Sequence, residues 1–216
     1  MAQAYGIGLI CIATDCDWDR ICHGIDGLIV PGSPINISPT YYGGEPFDPP
    51  EVYDEYALDS KVIGYFAEAK KPMFGICGGI QALNVFFGGT LKKVEELRGE
   101  GLSEPHGTLY DAQDRYGNPL RYRLHPILVE EDSFVYDVFG KREVLVNSYH
   151  DWALDRVAEE FRVVARTRDD NIIEAFECKE RRVYGTQWHP ELAFRMGFEK
   201  EMRFFENFLK VCEENA

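Results

Sequence analysis

The feature that most constrains this chain is Met73-Phe74-Gly75-Ile76-Cys77, a short apolar run that passes straight into Gly78-Gly79 and a pattern of Ile80, Leu83, Phe86 and Phe87. A brief apolar run bounded by turn residues reads as a buried strand, and apolar residues spaced three and four apart read as a helix. Cys77 therefore falls on a strand-to-helix corner. A thiol at such a corner is expected to be exposed at the carboxyl edge of a sheet. Its thiolate is favoured by the helix N-terminus, and the next backbone N–H points at whatever it attacks. A lone cysteine is ordinarily a small buried core residue. The flanking Gly75, Gly78 and Gly79, which remove the Cβ atoms that would block a strained turn, mark this one as a nucleophile elbow.

A thiol nucleophile needs a base. Gln187-Trp188-His189-Pro190-Glu191 supplies an imidazole at the end of an expected strand, with a carboxylate two residues on to orient it. His-Pro-Glu alone is a weak signal that also fits a surface histidine at a strand end. Paired with the elbow it becomes specific.

The apolar runs Gly8 to Ala13 and Gly27 to Val30 read as buried parallel strands. Between Glu51 and Lys71, Leu58, Val62, Phe66 and Ala69 recur at helical spacing, with Pro49 and Pro50 at the entry and Pro72 as the stop. The second half reads differently. Strands are expected near 121–130, 143–149, 161–167, 172–178 and 182–187, the third and fourth joined by a turn at Asp169-Asp170-Asn171. A closing helix carries Met202, Phe205, Phe208, Leu209 and Cys212 on one face. Helices alternating with buried strands, followed by a strand-rich half, predict an α/β fold: a mostly parallel sheet flanked by helices, with an antiparallel extension in the C-terminal half. No repeat, low-complexity tract or Gly/Ser linker divides the chain, so residues 1–216 are expected to form one domain.

A formal net charge of −14 repels phosphate backbones and anionic membrane surfaces, which argues against nucleic-acid partners. The longest apolar runs are too short to span a bilayer and no basic segment precedes them, so a cytoplasmic location and no membrane partner are expected. The six cysteines show no disulfide spacing and are expected to be reduced. Cys11, Cys16, Cys22 and His23 match no paired zinc-ligand pattern, and neither a Walker loop nor a strand followed by Gly-x-Gly-x-x-Gly is present. The expectation is no metal and no cofactor.

Pro-Gly-Ser at 31–33, Gly-Ile-Cys-Gly-Gly-Ile-Gln at 75–81, Gly-Gly-Thr-Leu at 88–91, Asn-Ser-Tyr-His at 147–150 and Gln-Trp-His-Pro-Glu at 187–191 together resemble the γ-glutamyl hydrolase branch of the class I glutamine amidotransferase-like family, in its order and over nearly the whole chain. The stretch from Pro31 to Pro46 is similar to that of the γ-glutamyl-γ-aminobutyrate hydrolases. The resemblance implies a flavodoxin-like sheet. It also implies Cys77 as nucleophile, His189 as base and Glu191 as its orienter, with backbone N–H groups of Gly78 and of the Gly32–Ser33 loop forming an oxyanion hole. Gln81 and the segment Asn147, Ser148, Tyr149 and His150 would hold the glutamyl moiety. His150, beside Tyr149 and Trp152, also reads as a hydrogen-bonded packing residue.

The implied reaction is hydrolysis of a γ-glutamyl amide through a cysteine thioester, with a small γ-glutamyl molecule as substrate and no cofactor. The amine attached to the glutamyl group would be selected by loops 34–50 and 98–118. Gly78 stands where the family commonly has Arg or Leu. Relatives also begin with a further strand–helix unit, expected to be absent here, which would favour self-association into a homo-oligomer. The rival readings are a glutaminase that donates ammonia to a synthetase partner and a catalytically silent member of the fold.

Overall fold

The computed structural model describes residues 23–51, 53–98, 106, 108–113, 117, 119–196 and 199–214. The expected strand from Gly8 to Ala13, Cys11, Cys16 and Cys22, and most of loop 98–118 lie outside them.

Among the described residues ten strands join in one sheet: β1 (Leu28–Val30), β2 (Met73–Ile76), β3 (Leu91–Lys93), β4 (Thr108–Gln113), β5 (Pro119–Val129), β6 (Glu143–Ser148), β7 (Trp152–Leu154), β8 (Arg162–Thr167), β9 (Ile173–Cys178) and β10 (Val183–Thr186). The main path runs β1-β2-β10-β9-β8-β5-β4, with β6 beside β5 and β7 bridging β3 to β9. β2 pairs in parallel with β1 and with β10, and the remaining pairings are antiparallel. The fold class is α/β with a mixed sheet. Among the described residues the antiparallel part is larger than the sequence reading allowed, because the short strands β3 and β7 and the hairpin of β4 with β5 add to it.

Helices cover both faces, which is why the central strands read as unbroken apolar runs. Successive residues of β2 point to opposite faces. Met73 joins a core with α1 (Tyr56–Glu68) and α2 (Gly78–Phe86), whereas Phe74 and Ile76 join a second core with α4 (Phe134–Phe139) and α6 (Arg203–Glu213); α3 (Val94–Leu97) and α5 (Pro190–Met196) are shorter. Phe74 is the hub of that second core, its ring centroid 5.8–6.4 Å from those of Phe134, Phe204, Phe205 and Phe208. α1 begins at Tyr56 rather than near Glu51, because Asp54 Oδ1 accepts from Ala57 N at 3.1 Å and starts the first turn there. α6 buries Phe204 beside the expected Phe205, Phe208 and Cys212. No helix among the described residues is long and apolar enough to cross a membrane.

One register matters most for function. β10 runs parallel to β2 with Thr186 opposite Ile76, so the residues that follow both strands emerge at the same carboxyl edge. Ligand sites of open α/β sheets form at such edges.

Candidate active site

Cys77 is the residue between β2 and α2, and its backbone sits at φ 51°, ψ −106°. A non-glycine residue at positive φ is strained and persists only where its surroundings hold it. Here the Cys77 N–H donates to Thr186 O on β10 at 2.8 Å. Close packing leaves no room for side chains on the flanking glycines: a Cβ on Gly79 would lie 1.9 Å from Val30 O, and one on Gly75 would lie 2.6 Å from the Gly79 carbonyl. The elbow therefore follows from the glycines around it. The expected exposure of Cys77 does not, since only 6% of the residue is accessible. Gly32 and His189 cover it: a Cβ on Gly32 would approach His189 Cε1 to 2.8 Å and Cys77 Cβ to 3.4 Å.

His189 lies just beyond β10 and is fixed on three sides. Its Nδ1 meets Glu191 Oε1 at 2.6 Å, its ring packs at Gly32 beside Cys77, and its peptide is held by Asn147. Asn147 Nδ2 donates to His189 O at 2.8 Å, while Asn147 Oδ1 accepts from His189 N at 2.9 Å. With Nδ1 donating to a carboxylate, Nε2 is the nitrogen left to serve the thiol. Burial lowers the affinity of the ring for a proton, but the hydrogen bonds and charges of Cys77 and Glu191 outweigh it and raise the pKa to about 9. Pro190 and Glu191 begin α5, whose first turn carries the orienting carboxylate.

The remaining residues singled out in the sequence divide into two groups. Gly32, Ser33 and Gly78 do converge on the thiol: a Cβ on Gly78 would lie 2.9 Å from Ser33 N, so the 32–33 loop packs directly against the first residue of α2. The Ser33 hydroxyl turns away, donating to Glu55 and accepting from Ile35 N at 3.0 Å. Tyr149 places its ring edge-on to His189, with centroids 5.7 Å apart. Others act as braces. The Gln81 amide nitrogen donates to Trp152 O at 2.8 Å and to Gln187 Oε1 at 3.2 Å. Asn147 grips His189, Ser148 is buried opposite Arg123 in the sheet, and His150 Nδ1 donates to Trp152 O at 3.0 Å.

The family model for Peptidase C26 matches residues 1–191. The chain belongs to the Peptidase C26 family. Among its relatives, the candidate glutamine amidotransferase-like protein YvdE of Lactococcus lactis is 32% identical over 77% of this chain and 66% of its own length. The γ-glutamyl-γ-aminobutyrate hydrolase PuuD of Escherichia coli is 27% identical over 91% of this chain and 76% of its own. A solved structure of a candidate GMP synthase protein from Thermoplasma acidophilum shares the fold, with a TM-score of 0.61 and 19% identity over 99% of this chain and 85% of that one. This Peptidase C26 chain thus spans about two thirds of the length of YvdE.

Two groups in this Peptidase C26 member escaped the sequence reading. Trp188, fully buried, donates from Nε1 to Glu201 Oε2 at 3.1 Å; burial raises the pKa of Glu201 to about 8, with the nearby Glu191 charge adding to it. The second is a meeting of His106, His125 and His150 around Glu174, a carboxylate with no solvent exposure inside β9. The available signal was the charged residue in the otherwise apolar stretch Ile172-Ile173-Glu174-Ala175-Phe176. Buried charges are rarely tolerated without partners.

Proposed function

We propose that this chain hydrolyses γ-glutamyl amides, with Cys77 as nucleophile, His189 as acid and base, and Glu191 as the orienter of His189. The observation that carries the reading is the arrangement of His189, set beside Cys77 at Gly32 on one side and 2.6 Å from Glu191 on the other. A protonated imidazole beside a thiol stabilises the thiolate, which is the attacking form.

The Cys77 sulfur attacks the γ-carbonyl carbon, and as the C–S bond forms the carbonyl π electrons move onto oxygen. The backbone N–H of Gly78, with the Gly32–Ser33 loop, stabilises that oxyanion. His189 gives its proton to the amide nitrogen as the C–N bond breaks and the amine departs. Water then attacks the thioester while His189 takes up its proton; the C–S bond breaks, glutamate leaves and the thiolate is restored. No oxidant or nucleotide enters the balance, and the reactive thiol fits a reducing compartment such as the cytoplasm.

The names of relatives such as PuuD support a γ-glutamyl amine, γ-glutamyl-γ-aminobutyrate among them, as substrate. Tyr149, 42% exposed and edge-on to His189, is suited to contact the bound glutamyl group. The test is release of glutamate from a panel of γ-glutamyl amides, glutamine included, by wild type and Cys77→Ala. Turnover lost in the variant supports hydrolysis and ranks the amines. Turnover on glutamine alone favours the ammonia-donating reading, and no turnover on any amide rejects the proposal.

A further inference from the structure

Four of the chain's side chains form a second cluster that the hydrolytic mechanism does not use. Glu174 Oε1 lies 3.5 Å from His125 Nε2, 3.6 Å from His106 Nε2 and 3.5 Å from His150 Nε2. All four side chains are at least nine-tenths buried. Charge-assisted N–H···O contacts ordinarily close to about 2.7–2.9 Å, so these separations are too long to be good hydrogen bonds. Accordingly, among the described residues both Glu174 oxygens and the three Nε2 atoms have no hydrogen-bond partner. Buried polar atoms normally find one.

The separations match a different geometry. Two donor atoms bound at about 2.0–2.1 Å to one tetrahedral zinc ion stand roughly 3.4 Å apart. The donor atoms of His106, His125 and Glu174 all lie within 4.8 Å of one another. Two of the three outer nitrogens are arranged to suit metal binding, while His125 Nδ1 has no hydrogen-bond partner among the described residues. His106 Nδ1 faces Asp170 Oδ2 at 3.0 Å, and Asp170 is in turn 2.7 Å from Arg98 Nε; His150 Nδ1 faces Trp152 O at 3.0 Å. A carboxylate or carbonyl on Nδ1 fixes the proton there and leaves the Nε2 lone pair free for a cation.

We propose that His106, His125 and Glu174 form a binding site for a zinc-class divalent metal ion, with the His150 imidazole adjacent, its Nε2 3.5 Å from the same carboxylate. Two imidazoles and one carboxylate suit zinc rather than calcium or magnesium, which take oxygen donors. None of the ligands belongs to the Cys77–His189–Glu191 set, and the burial of the cluster points to a structural ion. It ties the segment at His106 to β5 and β9, and β9 in turn supports the active-site strand end, since Glu174 O accepts from Gln187 N at 2.7 Å. The sequence reading expected no metal; the ligands come from far-separated positions and match no paired motif.

The test uses the full chain carrying Cys77→Ala, so that the reactive thiol cannot hold the metal. Elemental analysis of the isolated protein, then chelation and calorimetric titration with zinc, is expected to show saturable uptake at one ion per chain and a raised Tm. Uptake is expected to be lost in His106→Ala, His125→Ala and Glu174→Gln. Cobalt reconstitution of the Cys77→Ala protein, which depends on no cluster variant folding, is expected to give the visible bands of nitrogen and oxygen ligation without thiolate charge transfer. Absence of saturable zinc uptake, uptake that survives the three substitutions, or a thiolate signature from Cys178 or Cys212 would each overturn the proposal.

Discussion

Asn147 holds the peptide of His189 from both sides, its Nδ2 donating to the carbonyl at 2.8 Å and its Oδ1 accepting from the N–H at 2.9 Å. We propose that Asn147, which the family resemblance suggested for substrate binding, is a positioning residue for the His189 imidazole. Leaving a buried backbone donor unpaired costs about 1–3 kcal/mol. Asn147→Ala should lower kcat by roughly 10–100-fold and leave KM for the γ-glutamyl amide little changed. A rise in KM at constant kcat would instead restore the substrate-binding role.

The pH profile follows from His189. Its pKa is raised to about 9, so the protonated form persists through neutrality and is lost as pH rises through that value. The upper limb of kcat/KM should therefore fall near pH 9. Glu191→Gln keeps an acceptor for Nδ1 but removes the charge that favours the imidazolium, so the limb should move to lower pH. An unmoved limb in that variant would assign it to another group.

At position 78 the Cβ of any larger residue would lie 2.9 Å from the Ser33 backbone nitrogen, which cannot yield as a flexible side chain can. Gly78→Leu should push the 32–33 loop away from the oxyanion position. Mutational losses of one such donor run to about 100–1,000-fold in kcat, and the effect should appear in turnover while the protein stays folded by circular dichroism.

Glu201 supplies a stability prediction. Its folded pKa of about 8 stands above the ordinary 4.5, so the folded state binds the extra proton between those values. The stabilisation is full below about 4.5 and is lost as pH rises through 8. Glu201→Gln retains an acceptor for Trp188 Nε1 and should flatten that decline in a series of thermal melts.

The meeting of Cys77, His189 and Glu191 was legible in the sequence because each half is local. Gly75, Gly78 and Gly79 flank Cys77 directly, and Glu191 follows His189 by one proline. Their meeting required only that β10 lie beside β2. What stayed hidden depends on contacts between distant segments. Gln81 carries the polarity of a binding residue, yet its amide nitrogen is committed to Trp152 and Gln187. Asp170 read as a turn former, and it is that, but it also accepts from His106 across the sheet. β3, with two of its three residues exposed, and β7, at three residues, carry too little periodicity to be read as strands.

The central claim is that Cys77 forms a covalent γ-glutamyl thioester. Rapid acid quenching of the enzyme during turnover of a γ-glutamyl amide, followed by peptide mass analysis, tests it directly. The account predicts a glutamyl adduct on the Cys77 peptide that disappears when substrate is exhausted. Turnover with Cys77 unmodified throughout, or an adduct confined to Cys178 or Cys212, would contradict it.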